Sequence, residues 1–335
     1  MKRDNNIDMV KGVAIFCVVI AHSLNNVTGN VLPVRYTIFR ALAVFMILVG
    51  YNGAQSYLRR GWTDLRQMYD LNYLSKKFWR ILRPFLLIFI IETIFVLLIT
   101  PVRIDSWFSI IIIKSFLGGG WGPGSFYIPV IIQCLLILPL LYLLLRKGIA
   151  RALIMIFIVD VGIEIMLHLY GIEPSLYRLL CFRYLIAISL GVFIVFRPEG
   201  NKIFLTLGAM TGFVYILALN TGHAGILEDL NWRIHKAPIY VWDLMLVVIM
   251  LKYFSRDDMS WFSRMFRYFG KASYHIFLVQ MAYFFIVGIT VKHFTGLQVS
   301  QDQRFLLINV VLCCVVGALF YRFESGFTLR RSDRS

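Results

Sequence analysis

Charge is scarce in this chain, and acidic charge most of all. Eighteen Asp and Glu stand against 34 Lys and Arg in 335 residues, and the four types together make up 16% of the chain. Soluble domains carry about a quarter. With 59% hydrophobic residues and a mean hydropathy of +0.74, this excludes an ordinary soluble globular domain. No polar stretch is long enough to build one between the apolar blocks. Cysteine is also sparse. Cys17, Cys134, Cys181, Cys313 and Cys314 all sit within apolar runs without metal-ligand or redox spacing. That excludes a disulfide framework and leaves packing as their role. No internal repeat is strong enough to argue an inverted-repeat transporter, and no low-complexity segment occurs. The net charge of +16 does not imply nucleic acid, because the basic residues sit between apolar runs as membrane topology requires. No small-residue cleavage site follows Leu24, and Asp8 and Lys11 interrupt the first apolar run. It therefore reads as a retained span rather than a cleaved signal.

What the chain has in abundance is apolar blocks of roughly 17–25 residues, the length that crosses a bilayer. They predict an all-α, polytopic membrane bundle, one transmembrane domain over 1–335 with about ten transmembrane helices. The spans are Ile7–Leu24, Tyr36–Ser56, Leu82–Thr100, Phe126–Leu145, Ile149–Leu169, Leu179–Phe196, Ile203–Asn220, Ala237–Tyr253, Tyr268–Val291 and Phe305–Tyr321. An even number puts both termini on one side. Most Lys and Arg fall on segments that are cytoplasmic if the N-terminus is, led by Arg59, Arg60, Arg66, Lys76, Lys77, Arg80 and Arg83 in the loop Tyr57–Arg83. Both ends are therefore expected inside. Asp105–Leu117 is apolar but short, which predicts an interfacial or re-entrant piece on the outer side. Gly118-Gly119-Gly120-Trp121-Gly122-Pro123-Gly124 follows, either a flexible loop or a tight substrate-facing turn.

Several ionisable residues sit inside these spans, where they are costly and by default functional. On a helical wheel, Asp8, Lys11 and His22 of the first span share a sector of roughly 60°. At 1.5 Å per residue His22 lies ~21 Å along the axis from Asp8, so Asp8 is expected to pair with Lys11 instead. His22 suits general-base chemistry, since histidine titrates near neutral pH. The structural alternative is a hydrogen bond to a neighbouring helix. Asp160, Glu164 and His168 lie four apart on one stripe of the fifth span. That is too few ligands for a closed metal site, and a polar seam or an acceptor cavity is the expectation, with no metal. Glu92, Asp243 and Arg40 are further intramembrane charges, and Arg40 either steadies an oxyanion or pairs with a carboxylate.

The opening stretch, with Arg3, Ile7-Asp8, Lys11-Gly12, an apolar run and His22, resembles the integral-membrane acyltransferase 3 family. Gly50-Tyr51 is similar to its Ser-Gly-Tyr, with Val49 in the first place. Lys76-Lys77-Phe78-Trp79-Arg80-Ile81-Leu82-Arg83-Pro84 is similar to its basic segment before the third span. Tyr127 with Gln133, and Phe182-Arg183-Tyr184 with Gly191, fit its fourth and sixth spans. Gly270-Lys271-Ala272-Ser273-Tyr274 through Gln280 resembles its ninth, with Gln280 where many members have His. Tyr321-Arg322-Phe323-Glu324 resembles its close.

The resemblance implies transfer of an acyl group, most often acetyl, from cytosolic acyl-CoA to a hydroxyl of a sugar or cell-surface glycan. It implies His22 as general base and CoA phosphates near Arg80, Arg83 and Lys11, with Lys76 and Lys77 assisting. It puts Arg40, Tyr127, Gln133, Ser273 and Tyr274 toward the substrate. The expected partners are acyl-CoA, a glycan or lipid-linked sugar, and membrane lipid, with no nucleic acid. The expected location is a bacterial cytoplasmic (inner) membrane. Acceptor choice is expected in the outer segments Thr100–Ser125 and Thr221–Lys236. The competing reading is a transporter or flippase for a lipid-linked sugar or small metabolite. A non-catalytic scaffold is the third.

Overall fold

A computed structural model of the protein describes residues 5–24, 31–99, 106–197, 202–221, 239–254, 260–295 and 303–332. Arg3 and most of the outer segment Thr221–Lys236 lie outside them. The principal helices are α1 (Asn5–Ser23), α2 (Ala41–Arg59), α3 (Leu71–Ile99), α4 (Ser106–Leu117), α5 (Tyr127–Lys147) and α6 (Ile149–Leu169). They continue as α7 (Leu185–Phe196), α8 (Lys202–Asn220), α9 (Tyr240–Tyr253), α10 (Trp261–Lys271), α11 (Ser273–Thr295) and α12 (Leu306–Ser332). The described residues contain no strand. Eight of their helices are long and apolar enough to cross a membrane. Exposed Leu, Ile and Phe run along α3, α6, α8 and α12, a surface that water would not tolerate at this extent.

Every expected span contains a helix, but the details differ in three places. The sixth span does not begin at Leu179. Leu180 is extended, and a 3-10 turn at Cys181–Tyr184 leads into α7. The ninth is two helices: α10 ends at Lys271, Ala272 intervenes, and α11 starts at Ser273. The basic loop is largely helical, since α3 begins at Leu71, capped where the Asp70 carboxylate accepts the Tyr73 N–H at 2.7 Å. Pro84 sits inside α3, as membrane helices tolerate.

The chain divides into two compact units: Met1–Val31, Trp79–Ile128 and Phe254–Ser335 form the first, and Leu32–Phe78 with Pro129–Tyr253 the second. In the first, α1 and α10 cross antiparallel at a reciprocal pair of glycines. A Cβ on Gly12 would overlap the Phe266 carbonyl, and one on Gly270 the Asp8 carbonyl. The chain then turns into α11, which runs alongside α1 until Phe284 reaches His22, with ring centroids 6.1 Å apart. α12 returns antiparallel to α11, with Gly317 against Ile276 and the Tyr283 hydroxyl donating to Asn309 at 2.7 Å.

The second unit repeats the device. Gly50 of α2 meets the Ile188 carbonyl, and Gly191 of α7 meets the Ile47 carbonyl. The four glycines in these two crossings let backbones approach as only small residues allow. α8 and α9 are joined through stacked Tyr36 and Phe213, centroids 4.7 Å apart, and by the Trp242 indole N–H donating to the Tyr36 carbonyl at 2.9 Å.

Candidate active site

In the first unit, α1 carries His22 one residue before the end of the helix, where the residue as a whole is half-buried. The apolar stripe of Ile15 and Val19 below it is fully buried, so packing fixes the face on which His22 stands. Opposite the ring comes the glycine-rich segment after α4. A Cβ placed on Gly124 would lie 3.6 Å from His22 Nε2 and 3.3 Å from the Phe277 ring. The Tyr127 ring meets Phe277 with centroids 5.0 Å apart. Thus His22, Gly124, Tyr127, Phe277 and Phe284 form one neighbourhood.

The glycine segment is a packed turn and not a loose connection. Gly119, Gly120 and Gly124 have φ of 88°, 124° and 86°, values that side chains disfavour. The Glu92 carboxylate accepts the Trp121 backbone N–H at 3.1 Å, and Thr93 Oγ1 accepts the Trp121 indole N–H at 3.1 Å. The indole stacks on Phe285, with centroids 6.1 Å apart. A Cβ on Gly122 would overlap the Met281 carbonyl. Sequence reasoning singled out the glycines but gave Glu92 no part in them.

The remaining expected residues fall in varied surroundings. Ser273 opens α11, and the Tyr274 hydroxyl donates to the Ile81 carbonyl at 2.8 Å. Next to them is a pair the sequence did not single out, His275 Nε2 with Glu324 Oε2. Arg80 and Arg83 are exposed in the N-terminal half of α3, with the Arg83 guanidinium 5.8 Å from the Trp79 ring centroid. Lys76 is also exposed, while Lys77 lies 4.3 Å from the Tyr73 ring centroid. Lys11 is half-buried.

In the second unit, Arg40 takes the second of its two readings. Its Nε and Nη2 donate to the Asp243 carboxylate at 2.7 and 2.6 Å, both side chains fully buried. Gln133 has both ends of its amide engaged by backbone: Nε2 donates to the Leu179 carbonyl at 2.7 Å, and Oε1 accepts the Cys181 N–H at 3.0 Å. It thereby stitches the non-helical stretch ahead of α7. The stripe on α6 separates, with Asp160 and Glu164 buried and His168 exposed. The Tyr177 hydroxyl donates to Glu164 at 3.1 Å. Burial, with the Glu164 and Asp160 carboxylates beside it, holds the Tyr177 phenol above its ordinary range. Among the described residues no group of three or more His, Cys, Asp or Glu side chains is arranged to hold a metal.

An apolar groove of about 260 Å³ opens among Ile88, Val279, Ala282, Tyr283, Leu312 and Val316. His22 is not among its lining residues.

A comparison with curated proteins and one with solved structures each found no match. A comparison with family models matched residues 4–322 to the one described as an acyltransferase domain. The match runs from the residue after Arg3 almost to Glu324, across both compact units, and this chain therefore belongs to the acyltransferase 3 family of integral-membrane proteins.

Proposed function

We propose that the protein is a membrane O-acyltransferase that moves an acetyl group from cytosolic acyl-CoA to a hydroxyl of a sugar or cell-surface glycan. His22 is the general base. The observation that carries this is the imidazole of α1, with Nε2 facing a glycine turn, in a chain of the acyltransferase family. Acyl transfer to an alcohol needs the hydroxyl proton removed as the new bond forms. A positioned imidazole does so near neutral pH and contributes on the order of 10²–10⁴-fold. At Gly124 the turn puts backbone rather than a side chain against Nε2, the place proposed for the hydroxyl and the acyl carbonyl. Tyr127, Ser273 and Tyr274 belong to the same unit and are proposed to line the substrate side.

The donor end of the reading rests on α3. Lys76, Arg80 and Arg83 follow i, i+4, i+7 spacing and all three are exposed, a cationic stripe suited to phosphates. We assign the CoA phosphates to Arg80 and Arg83, with Lys11 as a further contact. The protein would work in a bacterial cytoplasmic membrane with both ends inside, where acyl-CoA is made.

The test uses purified protein in lipid nanodiscs, labelled acetyl-CoA and an extract of surface glycans. Acetylated glycan is expected, and His22→Ala should reduce turnover by about 100-fold or more. Unchanged turnover in that variant would remove the assignment. Flux of a lipid-linked sugar with no consumption of acetyl-CoA would replace it with the transporter reading.

A further inference from the structure

Backbone hydrogen bonds tie Gly118, Gly119 and Gly120 to the end of α4, but the glycine turn beside His22 has few side chains of its own to fix it. Glycine has the widest conformational freedom of any residue, and five of the seven positions from 118 to 124 are glycine, so restraint from outside the turn matters. We propose that Glu92 supplies this restraint: it is a positioning residue that holds the glycine turn against His22. Its consequence for catalysis rests on the acyl-transfer reading above. Its structural content does not.

Glu92 is fully buried within a helix that is long and apolar enough to span a membrane. A carboxylate there is costly to keep and asks for a specific use. Its Oε2 accepts the backbone N–H of Trp121, while Oε1 is buried and has no hydrogen-bond partner among the described residues. Thr93, the next residue of α3, accepts the indole N–H of the same Trp121. Adjacent side chains of one rigid helix therefore grip both the backbone and the ring of one residue in the turn. Stacking on Phe285 of α11 fixes the indole from the other side.

The restraint passes to both flanks of Trp121. At Gly120, where φ is 124°, a Cβ would meet Met281 Cε at 2.8 Å and Glu92 Oε2 at 3.1 Å. The turn backbone is thus pressed directly onto the carboxylate. Three residues after Trp121, Gly124 faces His22 Nε2 and the Phe277 ring. Releasing Trp121 would let this backbone drift in the space where a hydroxyl and an acyl carbonyl must meet. Misplacement by ~1 Å can cost about 100-fold in rate. Glu92 touches the turn and not the reacting atoms, so its effect should follow its hydrogen-bond acceptor and not its charge.

Three variants of the full-length protein in nanodiscs test this. Glu92→Gln keeps an acceptor oxygen of the same reach, Glu92→Leu removes it, and Thr93→Val releases only the indole. Hydrogen exchange of the peptide covering 118–126 and carbethoxylation of His22 by diethylpyrocarbonate report the turn without any turnover. In Glu92→Leu, turn exchange should rise about 10-fold, as expected for losing a buried hydrogen bond, and His22 should modify faster. Thr93→Val should move both in the same direction by less, and Glu92→Gln should stay within about twofold of the parent. For acetyl transfer, Glu92→Leu should lower kcat with KM for acetyl-CoA unchanged, and Glu92→Gln should restore kcat. Parental exchange in Glu92→Leu, or a Glu92→Gln variant as impaired as Glu92→Leu, would overturn the proposal. A parent protein that transfers no acetyl group would defeat the acyl-transfer reading and leave the exchange result to decide the role of Glu92.

Discussion

Arg40 and Asp243 are both fully buried, and the guanidinium meets the carboxylate through two nitrogens at 2.7 and 2.6 Å. Removing one partner of such a pair leaves an uncompensated charge, at a cost of about 3–5 kcal/mol. Arg40→Ala and Asp243→Ala should each destabilise the protein by that order. The double variant should cost less than the sum of the two, as measured by thermal unfolding in detergent. Arg80 and Arg83 are the opposite case, exposed on α3. Their replacement by Ala should leave folding unaltered and raise KM for acetyl-CoA about 10-fold each, as for loss of a charge-assisted phosphate contact. Steady-state kinetics separates the two behaviours. The sequence made both kinds of arginine visible but could not tell them apart. Arg40 finds its partner 203 positions away, a pairing that no local pattern encodes. The exposed stripe on α3 follows from helical spacing alone.

At the scale of elements, the glycines matched to family motifs resolve into two crossings. Gly12 with Gly270 joins α1 to α10, and Gly50 with Gly191 joins α2 to α7. In each, a Cβ would collide with a carbonyl of the facing helix, which neither helix can move without breaking its own hydrogen bonds. Gly50→Ala or Gly191→Ala should therefore destabilise by about 1–3 kcal/mol, the usual range for overpacking, and lower the unfolding temperature of purified protein. Gly162→Ala on α6, where nothing lies within 4 Å of the added carbon, is the control and should be neutral or slightly stabilising through helix propensity. The spans themselves were legible because length and hydropathy suffice for them. The break before α7 was not, since it depends on the Gln133 amide reaching Leu179 and Cys181 from another helix. Nor was the division between α10 and α11, where the chain turns at Ala272 without a proline or a glycine run to mark it.

For the whole molecule, the remaining question is which helices cross and which way round the bundle sits. Among the described residues eight helices have the length and composition to span, while α7 and α9 have 12 and 14 residues. At 1.5 Å per residue these reach ~18 and ~21 Å, short of a hydrocarbon core of about 30 Å. A thinned bilayer or a partial, protein-enclosed crossing accommodates such lengths. If both cross, or neither does, the number of passes is even and the two ends of the chain share a side. If only one crosses, the ends are separated. The second unit favours treating them alike, because α2 packs on α7 at Gly50 and Gly191 while Arg40, just before α2, is locked to Asp243 of α9. Each short helix is thus tied to the same full-length span. Charge then selects the side: Arg59, Arg60, Arg66, Lys76, Arg80 and Arg83 are all exposed between the body of α2 and Pro84, and such clusters stay cytoplasmic. A fluorescent-protein fusion after Ser335 should therefore be bright and an alkaline-phosphatase fusion there inactive. A single Cys at position 66 in a background lacking the native cysteines should react with a membrane-impermeant maleimide only after the membrane is opened. An active phosphatase at the C-terminus would show that one of α7 and α9 crosses without the other.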